Sequence, residues 1–268
     1  MYHVSIMGKG NYVGETIALL EHTYDEGRNA MSRPILTDEG SALPDRFLMS
    51  FMGDALERFV AEMNCIQISN HHSEVRDFPI YAHELDGVQL GLVQAPVGAP
   101  AAAIMADLLI ASGVRAIVAC GGCGVIRPIE SGRVLVPTQA LRDEGTSFHY
   151  IAPSREVEID SDGVEKTIAV LDALGLRHDT CKVWTCDGFF RETPTIVRKR
   201  AEQGYAAVDM ECAALAAVAQ AYDAQFVQIL YSGDTLADPE NHDERGWITN
   251  HSARDVTLRA ALHVLSAL

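Results

Sequence analysis

Long apolar runs, basic clusters and paired-cysteine frameworks are all scarce in this chain, and each scarcity removes a class of function. The longest apolar stretch, residues 99–111, is interrupted by Asp107 and falls short of the roughly 20 residues that cross a bilayer. The apolar start at residues 1–7 lacks a basic flank, so no secretory signal is expected and a cytoplasmic location is. Lys and Arg number 21 against 37 Asp and Glu, a formal net charge of −16, and no basic cluster exceeds Arg198-Lys199-Arg200. Polyanions need neutralising cations, so neither nucleic acid nor a membrane surface is an expected partner. A small anion can still be held by local groups. The six cysteines, Cys65, Cys120, Cys123, Cys181, Cys186 and Cys212, lie in apolar or glycine-rich surroundings of a 268-residue chain that needs no covalent staples. Buried reduced thiols are the expectation.

Repeats, low-complexity tracts and Pro/Ser-rich linkers are also missing, which leaves residues 1–268 as one domain, with 1–43 unassigned. What is present alternates. Short Val/Ile/Leu-rich runs at 91–95, 115–120, 133–137, 182–186, 205–210 and 225–232 predict buried strands. Helical patterns fill 45–64, 99–112, 164–175, 193–204, 211–223 and 250–268, with Gly175 and Gly204 as stops. This order predicts an α/β fold, a mostly parallel or mixed sheet with helices on both faces. Ligands of such sheets gather beyond the carboxyl ends of strands, so the residues after each strand are the ones to inspect.

Cys120-Gly121-Gly122-Cys123-Gly124 follows the 115–120 strand, and its glycines predict a loop whose N–H groups approach a ligand closely. The Cys-x-x-Cys spacing also fits a redox or zinc pair, but no helix opens there and no second Cys pair completes a zinc set. Gly8-Lys9-Gly10 with Gly14 resembles a dinucleotide fingerprint with its third glycine misplaced, and a flexible turn is the simpler expectation. Adjacent His71 and His72 point to different sides, which favours a solvated loop over a metal site. No metal or organic cofactor is expected.

In residues 185–194, Asp187-Gly188 turns the chain after a strand, Phe189 and Phe190 follow, and Thr193-Pro194 opens a helix. An aromatic there could stack on a planar ligand or simply fill core. Asp209-Met210-Glu211 puts two carboxylates at the junction of a buried strand and an Ala-rich helix, where charge is costly. Glu211 could cap that helix or accept hydrogen bonds from a vicinal diol. Ser232-Gly233-Asp234 ends the most apolar strand; Asp234 could be a general acid or an Asx turn.

Together and in this order these pieces resemble the nucleoside phosphorylase family, which includes uridine phosphorylase, hexameric purine nucleoside phosphorylase and methylthioadenosine nucleosidase. The similarity is carried by Ala95-Pro96-Val97-Gly98-Ala99-Pro100, Gly121-Gly122-Cys123-Gly124, Val136-Pro137-Thr138, Arg142-Asp143-Glu144-Gly145-Thr146-Ser147, residues 185–191, Val208-Asp209-Met210-Glu211 and Ser232-Gly233-Asp234. It implies a three-layer α/β sandwich around a mixed, barrel-like sheet, assembled as a homo-dimer, trimer or hexamer. It implies a nucleoside and inorganic phosphate as substrates. Glu211 would hold the ribose hydroxyls, with Asp209 and Met210 beside it, and Phe189 would stack on the base. Asp234 would donate a proton to a purine, with Arg245 turned toward it, and Gly121 and Gly122 would face phosphate.

The chain departs from the family in places. Ala119 and Gly122 stand where family phosphorylases carry an Arg and a Ser or Thr for phosphate, and the early Gly-Asp-Pro-x-Arg loop is missing. Asp209 replaces a Glu. Thr193 and Arg191 lie near the Gln and Arg of uridine-specific members. Phosphorolysis with purine ahead of uridine is the expectation, with hydrolysis on the same fold, or a nucleoside-binding protein without catalysis, as alternatives.

Overall fold

The computed structural model describes residues 43–238 and 241–268; the glycine pattern at residues 8–14 lies outside them. Ten strands occur among the described residues: β1 Arg46–Ser50, β2 Ile66–His72, β3 Asp77–Leu85, β4 Val88–Gln94, β5 Ala116–Val125, β6 Val134–Asp143, β7 Glu156–Glu158, β8 His178–Cys186, β9 Tyr205–Asp209 and β10 Gln225–Thr235. The helices are α1 Gly53–Glu62, α2 Ala99–Ala111, α3 Ser161–Ala173, α4 Pro194–Glu202, α5 Cys212–Ala221 and α6 His251–Ala267.

Pairing runs β5–β10–β6–β8–β9 and returns to β5, closing a ring, while β1, β4, β3 and β2 continue from β5 as an arm. The sheet is mixed. β5 runs parallel to β1 and β10, but β10–β6 and β5–β9 are antiparallel. Two groups of helices flank it: α2 packs on α5, and α6 packs on α1, α3 and β5. The α/β architecture with a closed, barrel-like mixed sheet is therefore the one expected from the sequence.

Three local expectations need correcting. Residues 45–64 read as one helix, yet Arg46–Ser50 is a strand and the helix begins at Gly53. Phe47, Leu48 and Met49 are fully buried, and a strand covered on both faces shows no alternation to set it apart from a helix. His71 and His72 lie in β2 rather than in a loop, where His71 stacks on Phe78 and His72 Nδ1 meets Asp77 Oδ1 at 2.7 Å. Residues 121–124 are not a loop either; they lie in the second half of β5.

That last point shapes the site. β10 accompanies β5 from Ala116 to Val125, so β1 and β9 must share its other edge. On that edge β1 stops at Cys120 and β9 begins at Gly124, leaving residues 121–123 without a strand partner there. The glycines let side chains crowd this gap: a Cβ on Gly122 would stand 2.9 Å from the Tyr231 ring and hydroxyl, and one on Gly124 would stand 2.9 Å from Leu236. The two cysteines of the Cys-x-x-Cys spacing are three apart on a strand and so project to opposite faces. All the described cysteines are free, and no metal-binding cluster exists among the described residues. No described helix is long and apolar enough to cross a membrane.

Candidate active site

A cavity of about 170 Å³ opens where β5, β8, β9 and β10 end. Its lining includes Gly122, Phe189, Asp209, Met210, Glu211 and Asp234, six of the eight residues singled out from sequence. Gly121 is not in the lining, and neither is Arg245. Val97 and Phe189, 67% and 49% exposed, stand at the mouth. Phe189 packs edge-on against Phe190 at 5.0 Å, while Phe190 itself faces solvent.

Asp209 and Glu211 lie side by side but have different partners. Asp209 Oδ1 accepts from Thr185 Oγ1 at 2.8 Å, and Oδ2 accepts from the Cys212 N–H at 2.8 Å and from Glu211 N–H and Gln228 Nε2 at 3.2 Å. Asp209 thus satisfies the open N–H groups that begin α5 and ties β9 to β8 and β10. Both of its oxygens are already used. Glu211, by contrast, has Oε1 held at 2.6 Å by the Gly98 N–H, and the Met210 N–H also bears on its carboxyl. Gly98 has φ +98°, a conformation that favours glycine, at the head of α2. Burial, then the charge of Asp209, pushes the Glu211 carboxyl above the usual carboxylate range; burial also raises Asp209, against its hydrogen bonds.

At the other strand end, Asp234 Oδ2 pairs with His242 Nε2 at 2.9 Å. Arg245 is not at Asp234: its Nη1 donates to the Ile129 carbonyl at 2.8 Å. The short loop from Asp243, which bridges back to Thr235, turns Arg245 away with φ +50°. His242 fills the place that the resemblance gave to arginine.

Several lining residues were not singled out from the sequence. Glu192 follows the single 3-10 turn Phe189–Arg191, and burial together with the charge of Asp234 raises its carboxyl to about 7, with His242 opposing. Arg254 reaches in from α6, bonded to Asp54 through Nε and Nη2 and to the Tyr231 hydroxyl at 3.1 Å through Nη1. Burial works against the charge on Asp54, but bonds from Arg254 and Arg58 outweigh it and hold that carboxyl well below its ordinary range. Arg254 had a legible signal, because it falls on the buried stripe of α6 with Leu258, Ala261 and Leu265. Cys123 lines the cavity too, but burial and then neighbouring Cys181, Asp209 and Asp234 push its thiol far up, which excludes a thiolate nucleophile.

The arrangement offers a diol acceptor in Glu211, an aromatic platform in Phe189 and a carboxyl pair in Glu192 and Asp234. Comparisons with known proteins place the chain in a family. Over residues 45–264 the chain matches the sequence profile of the phosphorylase superfamily. A guanosine phosphorylase of Halorubrum lacusprofundi is 27% identical over 54% of this chain and 61% of its own length. The match thus spans under two thirds of that relative. A DeoD-type purine nucleoside phosphorylase of Caldanaerobacter subterraneus is 26% identical over 70% of this chain and 82% of its own. The crystal structure of uridine phosphorylase from Vibrio fischeri ES114 superposes with a TM-score of 0.74 at 20% identity, covering 89% of this chain and 99% of that one. The profile match takes in most of the chain, and the fold agrees with it: this chain belongs to the phosphorylase superfamily.

Proposed function

We propose that the protein cleaves the N-glycosidic bond of a nucleoside with inorganic phosphate, giving the free base and a (deoxy)ribose 1-phosphate, and that it takes purines ahead of uridine. The observation that carries this is the convergence of Glu211, from the end of β9, and Asp234, from the end of β10, on one cavity that also holds Phe189.

Cleavage builds positive charge on the sugar and negative charge on the departing base. The Glu211 carboxyl accepts from the ribose hydroxyls, and its ionised form, together with Asp209, adds negative potential on the sugar side. A proton delivered at the base end neutralises the leaving group, help worth about 10²–10⁴ in rate. We assign this proton to Asp234, which is flanked by His242 and Glu192. The phosphate oxygen then bonds to C1 as the C–N electron pair leaves with the base. No organic cofactor or metal enters this chemistry, and the working form is a cytoplasmic homo-oligomer.

One observation favours water as the nucleophile instead. Among the described residues the lining carries four carboxyls, Glu192, Asp209, Glu211 and Asp234, against the single cation Arg254, which Asp54 already neutralises. Such a lining disfavours a dianion. Incubation with inosine, guanosine, adenosine, uridine and methylthioadenosine, with and without phosphate, separates the two. Phosphate-dependent release of base supports phosphorolysis, phosphate-independent release supports hydrolysis, and binding without release of any base sinks both.

A further inference from the structure

Of the four carboxyls in the lining, Glu192 is the one to which no described residue donates a hydrogen bond; Asp209, Glu211 and Asp234 all have partners. Its backbone is nonetheless fixed. The Arg191 N–H bonds the Gly188 carbonyl at 2.7 Å, the Thr193 N–H bonds the Arg191 carbonyl at 2.8 Å, and Pro194 then starts α4. The main chain therefore holds the residue at the cavity wall while its side chain is left for a ligand.

The groups that act on it come from three directions. Asp234 ends β10 and His242 lies in the loop beyond it, the Cys186 thiol ends β8, and Arg191 precedes it with its side chain exposed. Burial and Asp234 place the Glu192 carboxyl at about 7, so near neutrality a large share of it keeps its proton. A neutral carboxyl presents an O–H donor beside a C=O acceptor. That order of groups complements a ring amide, in which N–H stands next to C=O.

We propose that Glu192 is the base-reading residue of this site, pairing as a carboxylic acid with the amide edge of a 6-oxopurine or uracil. The inference rests on the nucleoside-cleaving function above. In a purine the amide edge adjoins the imidazole ring, the part to which we assign the proton from Asp234, so two neighbouring carboxyls meet two neighbouring edges of one base. Ionised Glu192 offers only acceptors, and the base carbonyl then faces a lone pair. Glutamine restores both a donor and an acceptor at the same reach.

The test compares wild type, Glu192→Gln and Glu192→Ala with inosine and uridine from pH 5.5 to 9, in the presence of phosphate. In the wild type, KM is expected to rise above about pH 7 as Glu192 ionises, while kcat changes less. Glu192→Gln should keep KM within a few-fold of wild type and lose this alkaline rise. Glu192→Ala should raise KM roughly 10–100-fold at pH 6.5, the loss of two hydrogen bonds. An alanine variant with wild-type KM, or a glutamine variant that keeps the wild-type alkaline rise, overturns the inference alone. Wild-type protein that cleaves no nucleoside overturns the function on which it rests.

Discussion

Glu211 Oε1 takes a 2.6 Å hydrogen bond from the backbone N–H of Gly98, 113 positions earlier in the chain. The bond anchors one oxygen of a carboxyl that lines the cavity, and a carboxyl's two oxygens leave further acceptor capacity for a ribose. If the carboxyl accepts from the 2′- and 3′-hydroxyls, each bond is worth about 0.5–1.5 kcal/mol when the carboxyl is neutral and about 1.5–3 kcal/mol when it is ionised. Glu211→Ala should then lower kcat/KM for a ribonucleoside by roughly 10²-fold or more, whereas a 2′,3′-dideoxynucleoside should be cleaved about equally by both proteins. A variant that loses the same factor on the dideoxy substrate would remove the diol from the role of Glu211.

Asp209 is expected to behave differently, although it lines the same cavity. Its two oxygens carry four hydrogen bonds, to Thr185, Glu211, Cys212 and Gln228. Asp209→Ala removes both acceptor oxygens and leaves these four buried donors without their partner. Losing a helix cap and stranding buried partners costs about 2–4 kcal/mol. At roughly 2–4 °C per kcal/mol, the melting temperature should fall by about 5–15 °C. Thermal denaturation followed by circular dichroism checks this; an unchanged midpoint would mean that Asp209 has no structural task.

The contrast shows what was legible in the sequence and what was not. The motif Asp209-Met210-Glu211 announced a costly pair of acids at a strand end, but one-dimensional order cannot say which acid faces the ligand. That depended on Thr185 and Gln228 arriving from neighbouring strands. The glycines at 121–124 announced close approach correctly, yet the approaching groups are the side chains of Tyr231 and Leu236 and the glycines themselves are in a strand. β1 was lost inside a helical pattern because total burial erases alternation. Glu192 has no legible role within residues 185–194, since only the fold brings it beside Asp234.

Arg245 and His242 give a prediction about the base end. The Arg245 guanidinium bonds the Ile129 carbonyl, and His242 bonds Asp234. Asp234→Asn should slow kcat on purine nucleosides by about 10²–10⁴ with little change in KM. Arg245→Ala should stay within about threefold of wild type in kcat, while losing about 1 kcal/mol of stability from the Ile129 bond. Steady-state kinetics on the two variants decide the matter. A loss in Arg245→Ala as deep as that in Asp234→Asn would show that the arginine swings to the acid during turnover.

Gly122 offers the sharpest test of how the site is built. A methyl group there would stand 2.9 Å from both Cζ and the hydroxyl of Tyr231, closer than real contacts allow. The ring has little room to retreat, because it is fully buried and its hydroxyl is bonded to Arg254 at 3.1 Å and to the Trp247 carbonyl at 3.3 Å. Gly122→Ala should therefore disturb Tyr231, Arg254 and Trp247 together, all of which line the cavity. Overpacking of this kind costs about 1–3 kcal/mol, and the melting temperature should drop by roughly 2–10 °C. Nucleoside affinity should weaken with it. Gly145 provides the control, since a Cβ there meets open space and its φ of −94° suits any residue. Gly145→Ala should melt at or slightly above the wild-type temperature, through the smaller entropy of its unfolded chain. Equal behaviour of the two variants would mean that β5 and β10 are not as close at Gly122 and Tyr231 as their register places them.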